Sequence, residues 1–475
     1  MSDTRIERDP LGELAVPSSA LYGVQTERAR QNFPISGLKP MPAFVTAMVW
    51  IKRSAAETHK RTGRLPAELA DAIIAAADEI LSGKHRDQFV VDPYQAGAGT
   101  SHNMNTNEVL ANRANEILGG KRGEYKPIHP NDHVNMAQST NDTIPTAIRL
   151  AVLSMLPKFL ESLDRLAESF LAKGVEFDGI VKSGRTHLQD ATPIRLGQEF
   201  TGYGRIVKRN AGRIEAAADW LRDLGIGGTA VGTGLNAEPE YPALMVEHLS
   251  VVSGLDLRAG SDPVELMQSM GDAAAFSGSV RAYALDLNKI ANDIRLLSSG
   301  PRTGFAEIVL PAVQPGSSIM PGKINPSIAE MVNQVCYQAL GNDTAVATAA
   351  EAGQLELNVM MPVMAHNLVF AMEILSNASR VFAERCIDGI EADEAQCAYW
   401  LERSPAIVTA LAPKLGYAEA AKLAKEAVAK NLTVRELVVE KGILSTQELD
   451  EVLDLRAMTE IGVPGEREGK SQRGR

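Results

Sequence analysis

The sequence predicts a mainly α-helical protein built around a long central helical bundle, and three observations support this. Only 5% of the 475 residues are aromatic, whereas the helix-favouring residues Ala, Leu and Met are abundant. Apolar residues recur at three- and four-residue spacing over long segments of the chain. Strands and helices do not alternate in the pattern, so a parallel-sheet nucleotide-binding fold is not expected.

The clearest helical periodicity lies in two segments. The first contains five apolar residues at helical spacing, namely Leu156, Leu160, Leu163, Leu166 and Phe170. The second runs from residue 263 to residue 299. Helices of 30 residues span about 45 Å, which suits a long bundle and an oligomer that covers further apolar faces. Pro145 and Pro326 each follow capping residues, and they predict helix starts.

The changing pattern divides the chain into three domains and a tail. Residues 1–142 form an N-terminal domain of mixed but mostly helical pattern, and residues 143–396 form the central domain of long helices. Residues 397–464 form a small C-terminal helical domain, with short amphipathic helices near residue 410, at 418–430 and at 446–455. Residues 465–475 lack apolar side chains and are expected to be a disordered tail.

Charge and cysteine content limit the partners and the compartment. The formal net charge of −11 argues against a nucleic-acid partner, so an anionic ligand must be attracted locally. Cys336, Cys386 and Cys397 are odd in number and lack CxxC spacing, which indicates neither a disulfide framework nor a zinc site. The charged N-terminus does not resemble a signal peptide. We therefore expect a cytoplasmic protein without a bound metal.

The most apolar helical candidate covers residues 359–375. It is interrupted by Pro362, His366 and Asn367. A membrane span needs about 20 consecutive, predominantly apolar residues. We therefore interpret this segment as a buried core helix and expect no membrane partner.

Two glycine patterns suggest nucleotide binding, but their context does not support it. "GIGGTA" at residues 225–230 is predicted to follow a helix, whereas a dinucleotide fingerprint follows a strand. In "GSSIMPGK" five residues separate Gly316 from Gly322, where a phosphate loop has four. Ile324 also stands where that loop has serine or threonine. Neither pattern predicts a nucleotide site.

Four polar clusters stand out along the chain. They are "GAGTSHNMN" at 97–105, "QSTND" at 138–142, "SGRTHLQDATP" at 183–193 and "GSSIMPGKINP" at 316–326. Each cluster alone is explained by helix caps and turns. Together they supply a hydroxyl, a titratable ring, a cation and an amide from Thr186, His187, Lys323 and Asn325. These groups are typical of a carboxylate-binding site.

"GSSIMPGKINP" resembles the signature loop of the aspartase/fumarase superfamily. The other three clusters are similar to that superfamily's remaining substrate-binding regions, in the same order, and the resemblance extends from "YGVQT" at Tyr22 to about Gly462. "AGAGTS", "QSTND" and "VNQVCYQALGNDTAVATAAEAGQLELNV" resemble the aspartate ammonia-lyase branch. Gly322 is shared with the fumarases, His102 stands where neither branch usually has histidine, and Ala137 replaces a residue that is usually polar.

This resemblance implies a three-domain fold and an activity. The implied reaction is the reversible elimination of ammonia from L-aspartate to give fumarate, through an aci-carboxylate intermediate. The alternative is fumarate hydratase, which interconverts L-malate and fumarate. No organic cofactor is implied, and metal activation is left open. The implied assembly is a homotetramer whose active sites are shared between subunits, with a small dicarboxylate or amino acid as substrate.

The resemblance also implies a role for each residue of the clusters. Ser317 would be the base, and the carboxylate that becomes the aci form would be held by Thr100, Ser139, Thr140 and Ser318. The other carboxylate would be held by Thr186, Lys323 and Asn325. The leaving amino group would face Thr100, Asn141 and His187, and Glu330 would orient His187. No role is implied for His102.

A serine hydroxyl is a weak base unless its alkoxide is stabilised, so Ser317 needs a nearby cation or backbone N–H groups. Lys323 and the glycine-flanked loop are candidates for both. Gly316, Pro321 and Gly322 predict a flexible loop that closes over the substrate and brings Ser317 into place. A non-catalytic protein on the same scaffold is a further alternative, but Ser317, His187 and Lys323 are all present, which argues against it.

Overall fold

The computed structural model describes residues 3–465, and this part of the chain is mainly helical. The α-helices are α1 Val24–Asn32, α2 Pro42–Arg61, α3 Ala67–Leu81, α4 Thr100–Ile117, α5 Thr140–Glu176, α6 Leu196–Asp219, α7 Tyr241–Ser253, α8 Pro263–Gln268, α9 Gly271–Leu297, α10 Ser327–Glu351, α11 Met361–Arg385, α12 Glu394–Arg403, α13 Ala412–Leu415, α14 Tyr417–Lys430, α15 Val434–Glu440 and α16 Thr446–Val452. Short 3-10 turns and one π turn, at Pro130–Val134, connect them.

The strands of residues 3–465 pair into four two-stranded sheets. They are β1 Thr4–Asp9, β2 Gly12–Pro17, β3 Val181–Thr186, β4 Gln189–Arg195, β5 Asp223–Leu224, β6 Arg258–Ala259, β7 Ile308–Val309 and β8 Glu391–Ala392. The β1–β2, β3–β4 and β7–β8 pairs are antiparallel, while β5–β6 is parallel. Only the first two sheets have strands of six or seven residues, so the fold is determined by its helices.

The chain forms two compact units. Within the described residues, the first comprises the chain up to Glu161 together with Asn210–Leu285 and Val335–Asn377. The second comprises Ser162–Arg209, Asp286–Gln334 and the chain from Ala378 onward. The division cuts the five longest helices, α5, α6, α9, α10 and α11. The three-domain boundaries inferred from sequence stay a prediction, and residues 466–475 of the expected tail lie outside the described residues.

In the first unit α3 packs against α2 and α4. Ala70, Ile73, Ala77 and Ile80 follow the helical repeat of α3, and all four are buried. Small residues alternate with isoleucine on this face, so neighbouring helices can approach closely and still exclude water. This core also contains Val109, Leu110 and Ala114, so it supports α4.

In the second unit the C-terminal helices share a separate apolar core. Leu411, Leu423, Leu437 and Leu449 are buried in it. Capping boxes define the starts of α15 and α16, because the Thr433 and Ser445 side chains each accept a backbone N–H three residues later. The helices expected near residue 410, at 418–430 and at 446–455 correspond to Pro405–Leu411, α14 and α16, while α15 was not predicted.

Two helix boundaries differ from the sequence-based prediction. Helix α5 begins at Thr140, so Pro145 lies inside it rather than at its start. The Ser139 hydroxyl accepts the N–H of Asn141 (3.2 Å), which caps the helix before the proline is reached. The segment 263–299 is broken between α8 and α9, where the Ser269 hydroxyl accepts the N–H of Gly271 (3.1 Å). Pro326 immediately precedes α10, as predicted.

Helix α5 is long and apolar enough to cross a membrane, judged by length and composition among residues 3–465. However, 72% of its most apolar window is buried inside the protein. Burial of this kind is the property of a core helix. The segment 359–375 falls largely in α11, whose apolar face is also buried.

Candidate active site

Three of the four polar clusters lie at helix N-termini. Helix α4 begins at Thr100, α5 begins at Thr140, and α10 begins at Ser327, directly after "GKINP". The first turn of a helix has backbone N–H groups without intrahelical partners, and it carries the positive end of the macrodipole. Each of these ends therefore favours an anion locally, although the chain has a net charge of −11.

The start of α4 is held close to α5 by the turn Gly97–Gly99. The N–H of Ala98 donates to the carbonyl of Val359 (2.8 Å). Gly99 has φ +92°, and a Cβ there would lie 2.9 Å from the side chain of Ile144. Only glycine suits both its backbone conformation and this close approach. The turn leaves the Thr100 side chain exposed at the N-terminus of α4.

The QSTND cluster forms the cap and the first turn of α5. The Thr140 hydroxyl accepts a long hydrogen bond from Asn103 Nδ2 (3.4 Å), which links the start of α5 to α4. Asn141 Nδ2 donates to the carbonyl of Ala230 (2.8 Å). The first unit therefore brings Thr100 and the Ser139–Asn141 segment to neighbouring helix ends.

Asp142 connects this cap to the glycine-rich "GIGGTA" turn. One carboxylate oxygen accepts the N–H groups of Gly227 and Thr229, both at 3.0 Å. The other oxygen accepts the N–H of Ser139 (2.9 Å). Asp142 is fully buried, and desolvation raises its pKa to about 6 although these hydrogen bonds oppose the shift.

The same contacts correct and extend the interpretation of "GIGGTA". The turn was predicted to follow a helix, and this is wrong, because it follows the two-residue strand β5. No helix opens from the turn, since α7 starts only at Tyr241. Backbone N–H groups of the kind that hold a phosphate in such turns are occupied by the Asp142 carboxylate. These backbone N–H groups therefore have a structural role, since they tie the turn to the cap of α5.

A buried lysine behind the cap was missed by sequence reasoning. Lys52 lies in the middle of α2, and its side chain is fully buried. Its ammonium donates to three amide oxygens, those of Asn103 (2.6 Å), Asn135 (3.0 Å) and Gln138 (2.8 Å). Desolvation lowers the pKa of Lys52 to about 7, and the negative charge of Asp142 opposes that shift. Asn103 and Gln138 belong to polar clusters, but nothing near Lys52 in the sequence indicates these contacts.

In the second unit Thr186 and His187 lie at the tip of the β3–β4 hairpin. Thr186 pairs with Gln189, so His187 and Leu188 form a two-residue turn, with φ of 56° and 58°. Such a turn normally uses Asn-Gly or Gly-Gly, because both central residues need positive φ. Here two bulkier residues occupy it, and both are exposed. Backbone strain of this kind is typical of functional sites.

Buried ion pairs hold the hairpin in place. The Lys182 ammonium lies 3.0 Å from the Glu199 carboxylate and 3.1 Å from that of Glu307. Arg185 contacts the same Glu307 carboxylate at 2.9 Å. Glu307 and Lys182 are almost completely buried, so these pairs are poorly screened by solvent. They anchor the strands below the strained turn.

The loop that carries Ser317 is closed by its own hydrogen bonds. The N–H of Gly316 donates to the carbonyl of Lys323 (2.8 Å), and Asn325 Nδ2 donates to the carbonyl of Gly316 (2.6 Å). The Ser317 hydroxyl oxygen accepts the N–H groups of Ile319 (3.2 Å) and Met320 (2.9 Å). Two backbone donors aimed at this oxygen are suited to stabilise an alkoxide on Ser317.

The remaining predicted residues of the second unit lie in this loop or in the helix that follows it. Ser318 and Lys323 have exposed side chains, and Glu330 lies in the first turn of α10. Within residues 3–465 of the single chain, no hydrogen bond or ion pair joins Glu330 to His187, and none joins the hairpin tip to the Ser317 loop. The structure therefore brings together the predicted residues of the first unit, while those of the second unit occupy two separate segments.

His102 and the cysteines are buried. His102 is 6% exposed, and its ring centroid lies 5.1 Å from that of Phe44. Desolvation lowers its pKa to about 3, so the ring is neutral and packs as a core residue. The three cysteines are free, and burial raises the pKa of each thiol to about 12. Among the described residues, no group of three or more His, Cys, Asp or Glu side chains could hold a metal ion.

Comparison with known proteins gives consistent results. The family model described as lyase matches residues 12–341, and that described as fumarase C C-terminus matches residues 407–460. The chain is 48% identical to an aspartate ammonia-lyase of Bacillus sp over 464 residues, covering 98% of this chain and 99% of the relative. It is 50% identical to a class II fumarate hydratase of Halobacterium salinarum over 462 residues, covering 97% of this chain and 98% of the relative.

The fold is equally well matched. A crystal structure of fumarate lyase:delta crystallin from Brucella melitensis, bound to cobalt, superposes with a TM-score of 0.93 at 49% identity. The match covers 96% of this chain and 99% of that one. Sequence and structure together confirm the fold class that the signature loop implied.

Proposed function

The chain belongs to the lyase family, and its own C-terminal part matches the fumarase C C-terminus. We propose that it reversibly eliminates ammonia from L-aspartate to give fumarate. The observation that carries the proposal is the Ser317 loop, in which two backbone N–H groups already point at the hydroxyl oxygen. Aspartate ammonia-lyases from several bacteria, at 46–48% identity over nearly the whole chain, support the choice of substrate.

Ser317 is proposed as the base. Its alkoxide removes a proton from C3 of aspartate, next to the side-chain carboxylate, and the electron pair moves into that carboxylate to form the aci intermediate. The pair then returns to form the C2–C3 double bond as the C2–N bond breaks, releasing ammonia from the substrate's ammonium group. The N–H groups of Ile319 and Met320 lower the cost of the alkoxide.

The intermediate carries nearly two negative charges on one carboxylate, so its binding site must supply hydrogen-bond donors. We assign that carboxylate to the ends of α4 and α5, with Thr100, Ser139, Thr140 and Ser318 as its ligands. Helix N-termini provide preorganised positive potential at this place. Each donor directed at developing charge contributes about 3 to 4 kcal/mol in a dry site.

The second carboxylate and the leaving group are assigned to the other clusters. Lys323, Asn325 and Thr186 are proposed to bind the carboxylate that does not change. Asn141 and His187, with Thr100, are proposed to face the amino group, and Glu330 to orient His187. Lys323 has an exposed side chain, which supports a role in attracting this carboxylate of the substrate.

We also propose a cytoplasmic homotetramer in which different copies of the chain contribute clusters to one active site. Leu285 on α9 and Tyr337 on α10 are 50% and 56% exposed, which supports a partner covering the long helices. Light scattering is expected to give the mass of four chains. A stable monomer with full activity would contradict the shared site.

Hydration of fumarate to L-malate is the second candidate. The relative from Halobacterium salinarum, at 50% identity, is a class II fumarate hydratase, and Gly322 fits that branch. In the reverse direction, the dehydration of L-malate, the intermediate and the base would be unchanged. Hydroxide is a poorer leaving group than ammonia, so this reaction needs an acid. Only the group facing Asn141 and His187 would differ.

The purified protein is incubated separately with L-aspartate and with L-malate while the ultraviolet absorbance of fumarate is followed. Fumarate from aspartate alone is expected, and fumarate from malate alone would replace the first candidate by the second. Ser317→Ala is expected to lower kcat by several orders of magnitude with unchanged circular dichroism. Ser82→Ala, an exposed hydroxyl at the end of α3, is the matched control. Substantial activity in Ser317→Ala would remove that residue from its role.

A further inference from the structure

The ammonium of Lys52 is buried in an unusual environment. Within residues 3–465 it makes no hydrogen bond to a carboxylate, and its three N–H donors contact the amide oxygens of Asn103, Asn135 and Gln138 at 2.6–3.0 Å. An ammonium has three donors and no acceptor, so this set of oxygens saturates it. Burying a charge without a directly bonded counter-ion costs several kcal/mol. The three amide oxygens that the ammonium holds indicate a use beyond packing.

Each of the three amides leads toward the substrate-binding cap of α5. Asn103 accepts from Lys52 through Oδ1, and its Nδ2 donates to Thr140 Oγ1 (3.4 Å) and to Asn135 Oδ1 (3.0 Å). Asn135 Nδ2 donates to the carbonyl of Gln138 (3.1 Å), directly before Ser139. Lys52 thereby determines which side of each amide faces it, and hence where the amide donors point.

Gln138 completes the turn that precedes the cap. Its Nε2 donates to the carbonyls of Val134 (3.1 Å) and Met136 (3.2 Å), while its Oε1 accepts from Lys52. The backbone from 134 to 139 is therefore wrapped around one ammonium. If the ammonium were replaced by an apolar group, three amide oxygens would lose a donor at once, and that of Asn103 is buried.

Asp142 provides the opposite charge on the other side of the cap. Its carboxylate holds Ser139, Gly227 and Thr229 through their N–H groups, and the adjoining Ala230 carbonyl receives Asn141 Nδ2. Two consecutive proposed ligands, Thr140 and Asn141, are thus connected to two different buried charges. This arrangement fixes the cap more tightly than helix capping requires.

We propose that Lys52 is a positioning residue, which acts through Asn103 and Gln138 to hold Thr140 and the start of α5 in the geometry that binds the substrate carboxylate. The inference rests on the proposed function, because it assigns Thr140 to the substrate. Lys52 itself touches no reacting atom. Its removal is expected to weaken substrate binding and turnover through displacement of the cap.

The first test compares Lys52→Met with Lys60→Met in the full-length protein. Lys60 lies on the same helix, but it forms an exposed pair with Asp71, so its removal is expected to leave KM unchanged. Lys52→Met is expected to raise KM for aspartate at least about tenfold, since small displacements of positioning groups have large effects. An unchanged KM and kcat in folded Lys52→Met would overturn the inference.

A double-mutant cycle with Thr140→Ala separates positioning from general stability. If Lys52 acts through Thr140, Lys52→Met has a much smaller effect on KM in the Thr140→Ala background than in the wild type. Equal fold-changes in both backgrounds would show that the two residues act independently, which would overturn the inference.

Asn103→Asp keeps the test decisive if Lys52→Met does not fold. The aspartate gives the ammonium a carboxylate partner, which offsets the lost Nδ2 donor to Asn135 Oδ1, so the melting temperature is expected to change little. It also removes the Nδ2 donor to Thr140, so KM is expected to rise. A stable Asn103→Asp protein with wild-type KM would contradict the proposal. Wild-type turnover is measured first, because its absence with both aspartate and malate would overturn the proposed function rather than the role of Lys52.

Discussion

Gly316→Ala is the most direct test of the loop geometry. A Cβ on residue 316 would lie 2.4 Å from the carbonyl oxygen of Lys323 and 2.8 Å from the backbone nitrogen of Asn325. Gly316 does not have positive φ, so an alanine is acceptable for the local backbone and only the contact is violated. Restoring an ordinary separation of about 3.5 Å requires the two sides of the loop to move apart by about 1 Å.

That movement lengthens the hydrogen bond from the N–H of Gly316 to the carbonyl of Lys323, and it shifts Ser317 relative to its two backbone donors. A displacement of about 1 Å at a reacting group lowers the rate about 100-fold, equivalent to about 2.7 kcal/mol in the activation free energy. We expect kcat to fall by this factor, while the melting temperature changes little because most of the loop is exposed.

The assay is fumarate formation under saturating substrate, with circular dichroism and thermal melting as checks on folding. Gly179→Ala is the matched control, since Gly179 is exposed in the same unit and a Cβ there meets nothing within 4 Å. A Gly316→Ala enzyme that keeps kcat within threefold of the wild type would refute the argument that the closed loop positions the base.

Three further predictions follow from backbone strain, packing and burial. Leu188→Gly removes a left-handed leucine (φ 58°), so the free energy of unfolding is expected to rise by about 1 kcal/mol, and the melting temperature with it. Activity is expected to decrease. A lower melting temperature would contradict this. Gly99→Ala is expected to destabilise the protein and raise KM, because residue 99 has a left-handed φ of +92° and its Cβ would lie 2.9 Å from Cδ1 and Cγ1 of Ile144. Ile144→Val removes Cδ1 and keeps Cγ1, so it should restore part of KM; an unchanged KM would exclude the Cδ1 contact as a cause. Burial lowers the pKa of Lys52 to about 7, so the folded chain carries the three-donor ammonium below about pH 7, and between pH 7 and its ordinary pKa of about 10.4 the unfolded chain binds a proton that the folded chain does not. The contribution of Lys52 to the free energy of unfolding therefore rises with pH, by up to about 1.4 kcal/mol per pH unit. The melting temperature of the wild type minus that of Lys52→Met should increase from pH 7 to pH 9. A constant difference would contradict the lowered pKa of Lys52.

Local chemistry made one helix end at the site predictable from the sequence. The start of α10 follows from Asn325 and Pro326, which act on their own neighbours, whereas the start of α4 at Thr100 was not predicted. The start of α5 was misplaced because Pro145 was taken as the signal, whereas the Ser139 side chain and the Asp142 carboxylate cap the helix first. A proline marks the region of a helix start, and the capping side chain determines its position.

The hairpin and the buried lysine could not be predicted in the same way. His187 and Leu188 have no special preference for a tight turn, so the turn depends on the ion pairs of Lys182 and Arg185 with residues far along the chain. Lys52 is separated by 51 residues from Asn103 and by 86 from Gln138. Neither periodicity nor motif spacing carries information on contacts of that separation, which only the packing of α2 against its neighbours creates.

The bonded Ser317 loop also restricts how a lid could operate. Residues 316–325 are tied at the base by two hydrogen bonds, so a closing movement would carry them as one rigid flap. Pro315 and Pro326 flank the flap, and proline keeps φ close to −65°. Rotation must then come from the ψ angles beside these prolines and from residues further out. Substitutions at 310–314 are therefore predicted to change the rates of substrate entry and product release, whereas substitutions within the flap change the proton-transfer step.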